Sequence, residues 1–240
     1  PRTARNPARS LRERSMSKRS SKRSLPLGGF LTFAALTFGL VVSAKGTDDA
    51  ELVLDGLQKR YESTIDFMAD FRQETELKTL NRMIEASGKV YFRRPGKMLW
   101  RYQDPKGQLI LADGEYLYYY QPEQKQVIKS RLSKAFLSDT PLSFMLGIGD
   151  LKRDFNGTLI GSETEHYVIQ LTPKEELGGV GELRLGVEKG EFDILWARIE
   201  DAVGNVTTIY FSSMQRGVVF GDSLFHLEVP EGVDVIEFGS

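Results

Sequence analysis

His166 and His226 are the only imidazoles in the 240-residue chain, and there is no cysteine. A hydrolase built on a serine or cysteine nucleophile needs a base beside it, usually histidine. Both histidines sit in strand-like runs, His166-Tyr167-Val168-Ile169 and Phe225-His226-Leu227, and read as ordinary residues of a sheet surface. A zinc site needs three or four ligands at motif spacing, and no cluster of His, Cys and carboxylate supplies them. Glu175-Glu176 lies among turn formers and reads as a solvated charge pair. Gly178-Gly179-Val180-Gly181 lacks the lysine and following helix of a phosphate loop and reads as a hairpin tip. No catalytic machinery is legible, so function must be sought in a binding surface.

The elements around that surface begin after a segment of different composition. Met16 is followed by Lys18, Arg19, Lys22 and Arg23, then by an apolar run over residues 25–42, then by Val42-Ser43-Ala44. Positive, apolar and small-residue regions in that order read as a secretory signal peptide cut after Ala44, with residues 1–15 outside the native structure. A retained membrane anchor is the alternative, weakened by Pro26, Gly28, Gly29 and Gly39. Residues 45–240 are then a single domain. Nine of the 32 Lys and Arg and one of the 33 Asp and Glu fall in residues 1–44, which leaves a net charge of about −9. Such a surface repels phosphate backbones and anionic headgroups, so nucleic acid is excluded as a partner. Without cysteine the chain has no site for a lipid anchor of its own, and a soluble mature protein is expected.

Thr47 as N-cap, Asp48 and Asp49 in the first turn, and Ala50, Val53, Leu54, Leu57 and Tyr61 at helical spacing predict an amphipathic helix over residues 48–63. From Phe67 the period changes to two. Phe67, Ala69 and Phe71 alternate with polar neighbours, as do Val90 and Phe92, and Met98, Trp100 and Tyr102. Turns are marked by Arg94-Pro95-Gly96, Asp104-Pro105-Lys106-Gly107, Asp113-Gly114 and Gly204-Asn205, the pattern of an antiparallel β protein. The run Tyr116-Leu117-Tyr118-Tyr119-Tyr120 must be covered on both faces. Residues 132–148 break the rhythm and predict one or two short inserted helices, with Pro141 in a first turn and Gly147 at a C-terminal end. Strands then resume over about residues 151–229 and close on the turn Pro230-Glu231-Gly232.

Taken in order, several segments resemble the outer-membrane lipoprotein carrier family, the LolA-type periplasmic chaperones. They are Phe67-Met68-Ala69-Asp70-Phe71-Arg72-Gln73; Gly88-Lys89-Val90-Tyr91-Phe92-Arg93-Arg94-Pro95-Gly96-Lys97-Met98-Leu99-Trp100; Asp113-Gly114 through the tyrosines to Gln121-Pro122; Asp139-Thr140-Pro141 with Phe144-Met145-Leu146; Leu171-Thr172-Pro173-Lys174; and Phe225-His226-Leu227-Glu228-Val229-Pro230-Glu231-Gly232-Val233. Each is a weak signal alone, and their order and spacing make the combination specific.

The resemblance implies a mainly β fold, an incomplete antiparallel barrel whose concave apolar face is covered by the N-terminal helix and short inserted lid helices. It implies a periplasmic chaperone, not an enzyme, that takes acylated lipoproteins from an inner-membrane ATP-driven releasing complex and passes them to an outer-membrane acceptor, acting as a monomer and without a cofactor. The expected cavity residues are Phe71, Val90, Phe92, Met98, Trp100 and Tyr102. Lys97, Leu99 and Arg101 are expected to face out. A charge at Met98 is then expected to block cargo uptake and spare the fold. The lid is expected in Pro141, Phe144, Met145, Leu146, Gly147 and Ile148, and the resemblance makes Arg94 the latch that holds it near residues 146–149. The alternative is that Arg94, like Arg93, is a solvated strand-end charge. A carrier of this fold for another amphiphile, and an enzyme or envelope-stress sensor built on it, are the competing functions.

Overall fold

A computed structural model of the chain describes residues 45–132, 151–174 and 180–238. Helix α1 (Lys45–Ser63) is followed by β1 (Asp66–Leu77), β2 (Arg82–Arg93), β3 (Lys97–Asp104), β4 (Leu109–Asp113), β5 (Tyr116–Gln121) and β6 (Gln126–Arg131). After a short helix α2 (Leu151–Asp154) come β7 (Phe155–Ser162), β8 (His166–Pro173), β9 (Val180–Glu188), β10 (Ile194–Asp201), β11 (Val206–Arg216) and β12 (Asp234–Phe238). All twelve strands form one sheet in the order β12-β6-β5-β4-β3-β2-β1-β11-β10-β9-β8-β7. Every pairing is antiparallel except β12 with β6. Among the described residues the sheet ends at β7 and β12 without closing on itself, an open barrel. Register shifts in β1, β2, β7 and β10 bend it, as an extra residue in one strand of a pair does. At one of them Gly88 lies so close to β3 that a Cβ would fall 2.1 Å from the Arg101 carbonyl oxygen.

Two apolar clusters lie on the concave side. Ala50, Val53, Leu54 and Leu57 make one stripe of α1, each no more than 5 % exposed. Three of them pack on Ile169 and Leu171 of β8, Leu183 and Leu185 of β9, and Phe155. Burial of each Val or Leu stabilises by about 1.5–3 kcal/mol, which is what holds the helix to this half of the sheet. The second cluster joins Ala69, Phe71, Val90, Met98, Trp100 and Tyr102 across β1, β2 and β3.

The convex side departs from expectation. Strands do not continue to residue 229: the chain leaves the sheet after Arg216, crosses the outside as residues 217–233, and returns as β12. His226 consequently follows a 3₁₀ turn (Asp222–Phe225) and is not a sheet histidine. Leu99 points outward as expected yet is only 1 % exposed, because Phe225, Phe220 and Leu227 of this strap cover it. Residues 151–154 are helical, since Leu151 packs against α1, and α1 itself starts at Lys45, so Thr47 lies inside it.

Arg93 pins the strap. It donates to Asp222 Oδ1 at 2.9 Å and to the Phe220 carbonyl, and its guanidinium lies 5.9 and 5.4 Å from the Phe220 and Phe225 ring centres. It is an anchor, not a solvated strand-end charge. Arg93→Leu should lower stability by about 1.5–3 kcal/mol in urea unfolding and expose residues 217–221 to protease first. Unchanged stability and an intact strap under protease would contradict that role.

Candidate binding cavity

Between the C-terminal half of α1 and the concave sheet lies a cavity of about 100 Å³. Leu57, Arg60 and Tyr61 of α1, with Thr64, form one wall. Phe67, Val90, Phe92 and Trp100 of the central strands form the floor. Leu183, Leu185, Ile194, Ala197 and Ile199 of β9 and β10 form the far side, and Phe211, Met214 and Arg216 of β11 complete it. The corner between β9 and β10 borders the opening with Phe192 and Asp193.

Of the six residues expected from the sequence, Val90, Phe92 and Trp100 line this space. Register explains why: Val90 pairs with Trp100 and Phe92 with Met98, so all four share one face. Phe71, Met98 and Tyr102 lie on that same face but form the packed wall behind the lining. The Phe71 ring centre is 4.6 Å from that of Trp100 and 5.0 Å from that of Tyr102. Trp100 Nε1 donates to the Met98 sulfur at 2.9 Å. Burial pushes the Tyr102 phenol up to about 12, with Tyr119 adding to the effect, so it stays neutral.

Arg94 reaches α1. Its Nη1 donates to the carbonyls of Glu62 at 2.8 Å and Tyr61 at 3.2 Å, and its guanidinium sits 5.1 Å from the Tyr61 ring centre. The last carbonyls of a helix lack intrahelical partners and carry the negative end of its dipole, so a guanidinium there is doubly favoured. The Arg94 backbone N–H also donates to Ile65 O at 2.8 Å. Tyr61, whose phenol is raised by burial against the lowering influence of Arg94, packs its ring 6.1 Å from Phe92. Pro141, Phe144, Met145, Leu146, Gly147 and Ile148 lie outside the described residues.

The opening is polar. Arg60 grips Asp193 with Nε at 2.8 Å and Nη2 at 3.3 Å, and also reaches Glu191 at 2.7 Å. Arg216 donates to Oδ2 of the same carboxylate, the oxygen that Arg60 Nη2 also reaches. Asp193 is thereby held between two guanidiniums with its side chain only 14 % exposed. Arg60 follows Leu57 by three residues and so borders the apolar stripe of α1, a position legible in the sequence. Phe192 and Asp193 carried no such signal, because their placement depends on a left-handed turn at a bulky residue.

The model of the family described as Outer membrane lipoprotein carrier protein LolA matches residues 62–228. The chain belongs to the LolA family. The outer-membrane lipoprotein carrier protein of Methylobacillus flagellatus is 31% identical over 207 residues, covering 86% of this chain and 98% of that one. That of Nitrosomonas europaea is 34% identical over 170 residues, covering 71% and 82%. Among solved structures, an uncharacterized conserved protein from Thermus thermophilus superposes with a TM-score of 0.52 at 12% identity, over 79% of this chain and 99% of that chain, and shares the fold. The LolA match spans the cavity floor, Arg94, the Phe192–Asp193 corner and Arg216, while Leu57, Arg60 and Tyr61 precede it. Among the described residues no helix is long and apolar enough to cross a membrane.

Proposed function

We propose that this chain is a periplasmic chaperone that carries the acyl chains of lipoproteins from an inner-membrane ATP-driven releasing complex to an outer-membrane acceptor. It is a carrier and not an enzyme, works as a monomer, and is exported by a leader within residues 1–44. The observation that carries the reading is an apolar cavity under a helix that polar contacts hold shut. An acyl chain gains about 0.8 kcal/mol per CH₂ removed from water, so a carrier needs a dry surface of this kind. The cavity, about 100 Å³, falls below the roughly 300 Å³ at which ligand sites begin. Cargo therefore enters by displacing the cover, and a cover that closes again keeps the empty apolar surface from aggregating.

Arg94 is the latch of that cover through the C-terminal carbonyls of α1. This extends the role implied by resemblance to a contact on the N-terminal helix, and the inserted segment around residues 141–148 is the second part of the lid. Membership of the family supports this reading over a carrier of another amphiphile. The two are separated by isolating the protein from the periplasm and analysing what it holds. Co-purified lipidated protein is the expected result; a glycolipid or sterol in its place would overturn the choice of cargo.

A further inference from the structure

The corner between β9 and β10 is built like a small amphiphile. Phe192 is a bulky residue at φ +59°, a left-handed conformation it adopts only at a cost. Its ring is pressed onto α1 where Gly56 leaves room; a Cβ at residue 56 would meet the ring at 2.3 Å. The next residue, Asp193, places its carboxylate between Arg60 and Arg216. An apolar side chain thus borders the cavity while the adjacent acidic head is gripped by two guanidiniums at its mouth. Arg216 is held below its ordinary range by desolvation first and by the nearby Arg60 second, so two cations face each other here. Glu191 on Arg60 and Glu188 near Arg216 are the other charged groups at the corner.

We propose that Arg60 and Arg216 form a head-group subsite, and that the Phe192–Asp193 corner is its resident occupant in the empty protein. The subsite takes the carbonyl oxygens at the head of an acyl chain, the ester and amide groups of an acylated cargo. Cargo displaces Asp193 from the guanidiniums and Phe192 from the cavity together, which couples recognition of the head to opening for the chain. The proposal rests on the acyl-carrier reading above and names the chemistry by which that cavity selects.

The test uses protein recovered from the periplasm and three brominated probes of one chain length: 11-bromoundecanoate, its methyl ester and 11-bromoundecylammonium. Bromine quenches a tryptophan it touches. Trp100 lines the cavity, whereas Trp196, the other of the two tryptophans, lies edge-on to His166 and against Gly186 outside it. Carboxylate and ester should bind wild type more tightly than ammonium. Asp193→Asn, nearly isosteric, should tighten both about tenfold by weakening the resident competitor, and Arg60→Met with Arg216→Met should weaken both about tenfold without weakening ammonium. Phe192→Gly, which removes the plug and relieves the backbone, should tighten all three alike. Equal changes for all three probes in the arginine variant, or weaker carboxylate binding by Asp193→Asn, would overturn the subsite. A response confined to the carboxylate would overturn the carbonyl assignment. Failure of every probe to quench wild-type Trp100 would instead overturn the cavity reading beneath it.

Discussion

Replacing Arg94 with leucine should yield a carrier that loads and does not unload. Two hydrogen bonds tie Arg94 to the Tyr61 and Glu62 carbonyls at the C-terminal end of α1 in the covered form. Charge-assisted bonds contribute about 1.5–3 kcal/mol when well shielded, and less at this half-exposed site. Leucine keeps bulk beside the Tyr61 ring but frees the helix end, so the balance moves toward the open, loaded form by about ten- to a hundredfold. Lysine should rescue in part, because it keeps the charge at the helix terminus and loses the planar fork. The measurement is transfer of labelled lipoprotein from purified carrier to acceptor membranes, with an apolar dye reporting the empty cavity. Normal transfer, with no rise in dye binding, would reduce Arg94 to a cap of α1.

Phe211→Glu and Met98→Glu should fail in different ways. Phe211 is half-buried on β11, lines the cavity, and faces Trp100 at 5.9 Å between ring centres. A carboxylate there lies in the path of the acyl chains while retaining some access to water, so the fold should survive and cargo uptake should fall at least tenfold. Met98 is 1 % exposed, with Phe92 and Ala112 as its register neighbours and Trp100 Nε1 on its sulfur. Glutamate at that position removes a packed side chain and buries a charge that one indole N–H cannot compensate, a loss of several kcal/mol. Met98→Glu should therefore not fold, contrary to the expectation from alternation alone that it would spare the fold. Circular dichroism and lipoprotein uptake check both. A folded Met98→Glu that still loads, or a Phe211→Glu that loads like wild type, would contradict the placement of these residues.

That reversal shows what alternation can carry. Period two put Val90, Phe92, Met98, Trp100 and Tyr102 on one face, because successive side chains of a strand point to opposite sides. It could not separate lining from wall, which depends on where α1 crosses the sheet. The apolar stripe of α1 was legible for the same reason, with Ala50, Val53, Leu54 and Leu57 at helical spacing, and the Gly and Pro turns marked the β2–β3, β3–β4, β4–β5 and β10–β11 connections. The strap over Leu99 was not legible. Its apolar residues Phe220, Phe225 and Leu227 read as one more strand until their partner, the convex face of β3 and β4, is known. The corner at Phe192 was hidden because a left-handed phenylalanine contradicts local preference and is held by tertiary contacts, its fit against Gly56 and the grip on Asp193.

The central claim is that this protein makes acylated lipoprotein soluble by enclosing its acyl chains. The most direct measurement incubates inner-membrane vesicles bearing the releasing complex, ATP and a labelled lipoprotein with the purified carrier, then asks what leaves the membrane. A soluble one-to-one complex should form only with the carrier present and not with Phe211→Glu. Lipoprotein that stays with the vesicles, or a cargo stripped of its acyl chains that binds the carrier equally well, would contradict it.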